Sequence, residues 1–356
     1  MRNKIALVSL LLVSLSVSGQ TDVSTYTPGV TPEGVSYFLP KTKLKIVVTA
    51  QKEIYIPGEL CGYAERYLRL TNVIDKEYEN WEIKEITATT FGVPDKSGIF
   101  TIKFVDKSIA HYVELTKDGI LSAINVQTQA EVPIRIVEKE NTTIKPKSYL
   151  TEDILLAGST AKMAELAAKE IYSIRESKNL ITRGQAENMP KDGESLKIML
   201  ESLNEQEQAL LLLFTGKTET EIHQFTIEVD PNGNTKRQIL FRFSNKLGVL
   251  GTENLAGTPV YIDIENLNIL PPIAPSADNV KKQRLFGNKE NSSLLYRIPG
   301  RAVVRIYNNN DSYFQNEFAI SQFGNIETLS GSLFEKQTNT QVIFNTTTGN
   351  VVNIKQ

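Results

Sequence analysis

The sequence predicts an α+β protein in which predominantly antiparallel β regions flank a central helical hairpin that packs on a sheet. Three observations lead there. Short runs on both sides of the middle, such as Val260-Tyr-Ile-Asp-Ile264, alternate apolar and polar residues with the period of a strand. Asp118-Gly119 and Asn232-Gly233 separate such runs, and these dipeptides are strong hairpin signals. Between the two β regions, Thr151–Gly216 changes to helical spacing. These composition shifts divide the chain into a signal peptide (1–19), an N-terminal β-rich region with a short helix (20–145), a helical hairpin (146–216) and a C-terminal β-rich region (217–356).

The chain opens with Met1-Arg-Asn-Lys4, then an apolar and serine run from Ile5 to Val17. A charged n-region and an h-region of about 13 residues make a signal peptide, too short to span a bilayer. Val17 and Gly19 are small enough for the −3 and −1 positions, which places cleavage after Gly19. No later apolar run reaches membrane-spanning length, so no spanning segment is expected after cleavage. Gln20–Gly34 is rich in Thr, Ser, Pro and Gly and reads as extended. Val35–Leu39 and Leu44–Val48 read as strands separated by Pro40. Pro57-Gly58-Glu59 opens a short helix whose Leu60, Tyr63, Ala64, Tyr67 and Leu68 share a buried face. Strands follow at Trp81–Phe91, Gly98–Asp106 and His111–Leu115, with the Lys117–Gly119 turn after them.

In the helical island, Met163, Leu166, Ala167, Ile171 and Ile174 recur on one face of a run from Asp153 to Glu176. The opposite face carries Lys162, Glu165, Lys169, Glu176 and Lys178. Met189–Gly193 is a turn by composition. A second helix carries Leu196, Met199, Leu200 and Leu203. Asn204-Glu-Gln-Glu207 has the form of a capping box, which predicts a third helix running to Gly216. Beyond it, Glu221–Val229 and Gln238–Ser244 read as a hairpin about Asp230-Pro-Asn-Gly233. Residues 270–292 read as a surface loop. Six strands follow: Leu294–Arg297, Ala302–Tyr307, Tyr313–Ile320, Asn325–Leu329, Gln341–Phe344 and Val351–Ile354. Whether the two β regions share a sheet is left open by the sequence.

Composition and motif search narrow the chemistry. One cysteine, Cys61, excludes an intramolecular disulfide framework and a cysteine-based metal cluster. A formal charge of −2 gives no basic footprint for nucleic acid. His111 and His223 are isolated in strand-like runs, and no HExxH, Gly-x-Ser-x-Gly or Gly-x-Gly-x-x-Gly occurs. No catalytic motif, cofactor or metal is therefore expected. A glycosidase needs only two well-placed carboxylates, and no local pattern selects a pair among 41 acidic residues. Trp81 and the thirteen tyrosines are the available aromatic platforms, and most of the tyrosines sit at core spacing.

The remaining candidates crowd the island: Lys169, Tyr172, Arg175 and Glu176 on one helix, and Asp192 in the turn that follows. Arg175 can pair bidentately with a carboxylate and pin the hairpin, or it can contact an acidic ligand or partner. Leu155-Leu-Ala-Gly-Ser-Thr160, Met163-Ala-Glu-Leu-Ala-Ala-Lys-Glu-Ile-Tyr172, Ile174-Arg-Glu176, Met189-Pro-Lys-Asp-Gly193 and Leu213-Phe-Thr-Gly216 carry a resemblance. With Tyr37-Phe-Leu-Pro40 and Tyr63-Ala-Glu-Arg-Tyr67, they are similar to a family of secreted Bacteroidetes proteins, domain of unknown function 4831. The resemblance implies export and brings no activity, cofactor or catalytic residue. The expected function is an exported, non-enzymatic binding or assembly protein of the bacterial envelope; the alternative is a carbohydrate-directed binding module or glycoside hydrolase. The expected partner is accordingly another envelope protein or a glycan.

Overall fold

In the computed structural model, residues 29–31, 34–102, 112–128, 146–187, 192–269, 294–334 and 340–355 are described. The expected signal peptide, His111, the Met189–Lys191 part of the expected turn and the expected 270–292 loop lie outside them.

The first sheet is organised around β2 (Gly34–Ile56), which pairs antiparallel with β3 (Tyr78–Ile102) along nearly its whole length. Its other edge takes β1 (Gly29–Thr31) at one end and β6 (Lys217–Val229) at the other. Leu44, Ile46, Val48 and Ala50 of β2 are fully buried, whereas at its start every residue from Val35 to Leu39 is buried, odd and even alike. The residues that enter an apolar core move from odd positions (Tyr37, Leu39) to even ones (Leu44, Ile46, Val48) about Pro40. Side chains alternate with period 2, so opposite faces of the strand feed the two cores. The ladder steps from Phe38–Ile99 to Pro40–Pro94, leaving Asp95–Gly98 of β3 without partners on β2.

The second sheet runs β11-β10-β9-β7-β8, with β7 (Thr235–Ser244), β8 (Gly248–Leu250), β9 (Thr258–Asn266), β10 (Leu294–Tyr307) and β11 (Ser312–Leu329). It has a matching excursion: Ile298 pairs with Asn325 and Gly300 with Ile320, so Ser321–Gly324 bulge out. The third sheet runs β13-β12-β5-β4, from β4 (Val113–Leu115), β5 (Leu121–Ile124), β12 (Gln341–Phe344) and β13 (Val351–Lys355).

Two β cores result. Leu44, Ile46 and Val48 meet Phe241, Ile262, Val304 and Ile306, joining the first sheet face to face with the second. Tyr37 and Leu39 meet Ile124, Tyr296, Ile298, Val342 and Phe344, joining the other ends of β2 and β10 to the third sheet. Within that core the Tyr37 hydroxyl donates to Leu295 O at 2.9 Å and accepts from Leu295 N at 3.0 Å, and burial pushes its pKa up to about 12.

The helices are α1 (Ala64–Leu68), α2 (Glu152–Leu155), α3 (Thr160–Thr182) and α4 (Gly193–Thr215). Among the described residues strand makes up 51% and helix 24%, in three antiparallel sheets, so the fold is mostly antiparallel β and the α+β expectation built on a central helical hairpin is corrected. The expected packing of helices on a sheet is also corrected. Leu60, Ala64 and Leu68 meet Ala164, Ala167, Ile171, Leu210, Leu213 and Phe214 in a core to which no described strand residue belongs. Alanines on α3 let the neighbouring helices approach closely, so the apolar stripe is used up between helices.

Local expectations change too. The Asp153–Glu176 run breaks after α2, and Ser159 caps α3 by accepting from Lys162 N at 3.2 Å. No third helix begins at Asn204, since α4 runs through it. Asp230–Gly233 is not a hairpin turn: β6 pairs with β2 and β7 with β9, so the turn carries the chain from the first sheet to the second.

Candidate functional site

Glu207 of α4 holds the helical unit together. Its Oε1 accepts from Arg175 Nε at 2.6 Å, its Oε2 accepts from Lys178 Nζ, and Lys178 also donates to Asn204 Oδ1 at 2.8 Å. The would-be capping box therefore serves as a clamp between α3 and α4. Burial alone would raise the Glu207 pKa, but its bonds to Lys178 and Arg175 outweigh that and hold it below the ordinary value.

The five predicted residues do not converge. Arg175 faces Glu207 and lies over the Tyr172 ring, 5.7 Å from its centroid. The Tyr172 hydroxyl donates to Tyr67 O at 3.2 Å, tying α3 to α1. Lys169 pairs with Glu165 of its own helix at 2.8 Å. Glu176 is exposed and makes no ion pair among the described residues. Asp192 caps α4 by accepting from Ser195 N at 2.7 Å, about four turns from Glu207. That backbone bond, first among its causes, lowers the Asp192 pKa.

A second polar group sits in the waist between the two β cores. Asp95 and Arg297, both buried, pair at 2.6 Å, with Lys41 3.5 Å from the same carboxylate. Ser97 donates to Asp95 through N at 3.2 Å and Oγ at 2.6 Å. Nearby, Thr42 N donates to Ser321 Oγ and Gln322 Oε1, both at 2.9 Å, and Gln322 Nε2 donates to Thr42 O at 2.8 Å. Side chains from the β11 bulge thus satisfy the β2 edge in the gap before β6 pairing begins at Leu44.

A third cluster occupies the outer face of the second sheet. Tyr261 and Tyr307 are cross-strand partners with ring centroids 5.8 Å apart and a 37° interplanar angle. Arg237, in a bulge of β7 with φ +52°, lies over Tyr261 at 4.9 Å from the centroid. Asp263 Oδ1 accepts from Arg237 N at 2.6 Å and from the Tyr307 hydroxyl at 3.1 Å. Arg237 Nη2 also reaches Asn309 Oδ1 at 3.5 Å.

Trp81, a candidate platform, is half-buried beside His223, with ring centroids 4.9 Å apart. A Cβ at Gly248 would come within 2.9 Å of its indole, so the start of β8 packs tightly on it. Among the described residues, no three His, Cys, Asp or Glu side chains gather to hold a metal, and no helix is long and apolar enough to cross a membrane.

The family model described as "Domain of unknown function (DUF4831)" matches residues 33–352, from the start of β2 into β13. The chain belongs to that family. No curated protein and no solved structure matches it.

In this DUF4831 chain, the sequence singled out Arg175 of the Glu207 clamp but neither Glu207 as its centre nor the other two clusters. Asp95–Arg297 carried one signal: an arginine within the apolar run Leu294–Ile298. The Tyr261 cluster carried little, because tyrosines at strand spacing look alike whether they face the core or solvent.

Proposed function

We propose that this protein is an exported, non-enzymatic component of the bacterial envelope that assembles with another envelope protein through its helical unit. The observation that carries this reading is the exposed pair Leu155 and Leu156, 62% and 74% accessible, at the end of α2. Two adjacent leucines held in water mark a surface that a partner covers. Tyr172 adds a 47% accessible aromatic residue on the neighbouring helix. Ile154, buried in the helical core, holds α2 and so keeps the surface ordered before contact, which lowers the entropic cost of association. The signal-peptide pattern at 1–19 supports export.

In-cell crosslinking followed by purification from the native envelope tests the reading, with a Leu155→Asp, Leu156→Asp variant alongside. One specific protein partner, lost in the variant while its melting temperature is unchanged, supports it. A partner retained by the variant moves the interface to the sheets, and recovery of no partner overturns the assembly role.

A further inference from the structure

We propose that Arg237, Tyr261, Asp263, Tyr307 and Asn309, on the outer face of the second sheet, form a binding site for a neutral saccharide ring. The site is built on different elements from the helical surface and does not depend on the assembly reading.

The backbone at Arg237 is the first argument. Its φ of +52° lies in the left-handed region, where glycine or asparagine is the ordinary occupant. Glycine would satisfy this bulge with less strain and could still donate its N–H to Asp263. The chain instead places there a guanidinium, extended over Tyr261. Strained backbone held by a specific bond is a mark of a site that uses the side chain it presents.

The chemistry of the cluster selects the ligand. Tyr261 and Tyr307 form a tilted aromatic pair with polar tips, suited to the C–H face of a sugar ring. Asp263 spends Oδ1 on Arg237 N and the Tyr307 hydroxyl, while Oδ2 has no hydrogen-bond partner among the described residues. That oxygen is placed to accept from one sugar hydroxyl as the Arg237 and Asn309 N–H groups donate to its neighbours. Arg237 and Asp263 balance in charge, which disfavours a phosphate or a uronate relative to a neutral ring. Two half-buried tyrosines also fall far short of the roughly 800 Å² per partner of a stable protein interface.

The test is calorimetric titration of the mature chain with maltohexaose, cellohexaose and mannohexaose, and with an oligogalacturonate of similar length. The expected result is binding to at least one neutral oligosaccharide, weakened about tenfold or more by Tyr261→Ala and by Arg237→Gly. Arg237→Gly relieves the positive φ, so it should melt at or above the wild-type temperature while losing affinity. That pairing keeps the test decisive if Tyr261→Ala folds poorly. The proposal is overturned by no heat with any neutral oligosaccharide at millimolar concentration, by binding that both variants retain, or by preference for the oligogalacturonate.

Discussion

Asp95 and Arg297, 202 positions apart in the chain, meet at 2.6 Å in the buried waist where both long hairpins change register. The pair closes the seam between two β cores that share β2 and β10. Asp95→Ala leaves the Arg297 charge buried beside Lys41, with no carboxylate to balance either, and should cost about 3 kcal/mol. Replacing both partners, as Asp95→Leu with Arg297→Met, should cost less than the single change. Urea unfolding midpoints check the order, and a double variant weaker than Asp95→Ala would show that the pair is not the element holding the waist.

Acid should weaken this protein below about pH 5. Burial works to raise the Asp95 pKa, but its Ser97 hydrogen bonds, Lys41 and Arg297 prevail and lower it; Glu207 is lowered in the same way by Lys178 and Arg175. A carboxylate with a depressed folded pKa adds stability above its unfolded pKa, and that stability is lost as pH falls through the folded pKa. Melting temperature should therefore hold from neutrality to about pH 5 and decline below it. Glu207→Gln should flatten part of that decline.

Glu207→Gln also tests the helical clamp. It removes the charge shared by Arg175 and Lys178, and because Arg175 is partly exposed the loss should be about 1 kcal/mol. Hydrogen exchange should quicken in α3 and α4 while β2 and β10 stay protected. Equal quickening in the sheets would show that the helices and the β cores unfold as one unit.

Gly324→Ala should be among the most damaging small substitutions. A Cβ there would lie 1.7 Å from Ile298 O, inside the β11 bulge, and neither backbone can yield without breaking the register. The expected loss is about 3 kcal/mol. Gly158→Ala, where a Cβ meets nothing within 4 Å, is the control and should change stability by less than about 0.5 kcal/mol. Thermal melts of the two variants separate the cases.

Of the sites, the helical clamp was half legible. Arg175 was readable as a pinning residue because acids lie nearby in sequence, but Glu207 was read as a helix cap. Its role depends on α4 lying against α3, which no local pattern reports. Asp192 was legible as a turn residue, and its cap bond to Ser195 follows from the same short-range geometry. The waist and the Tyr261 cluster join residues from distant strands, so their parts looked ordinary one at a time.

The sequence by itself determined much of where the chain is strand and where it is helix, but not the break between α2 and α3 or the unbroken run of α4 through Asn204. The alternation through Leu44, Ile46 and Val48, the helical spacing through Met163, Ala167 and Ile171, and the Gly216 stop all express backbone periods of a few residues. Tertiary structure alone decided the partners: β6 beside β2 instead of β7, helices against helices instead of a sheet, and β2 feeding two different cores on either side of Pro40. Period is a property of neighbouring peptide units, whereas pairing is settled by which distant surfaces bury the most apolar area and leave the fewest backbone groups unbonded.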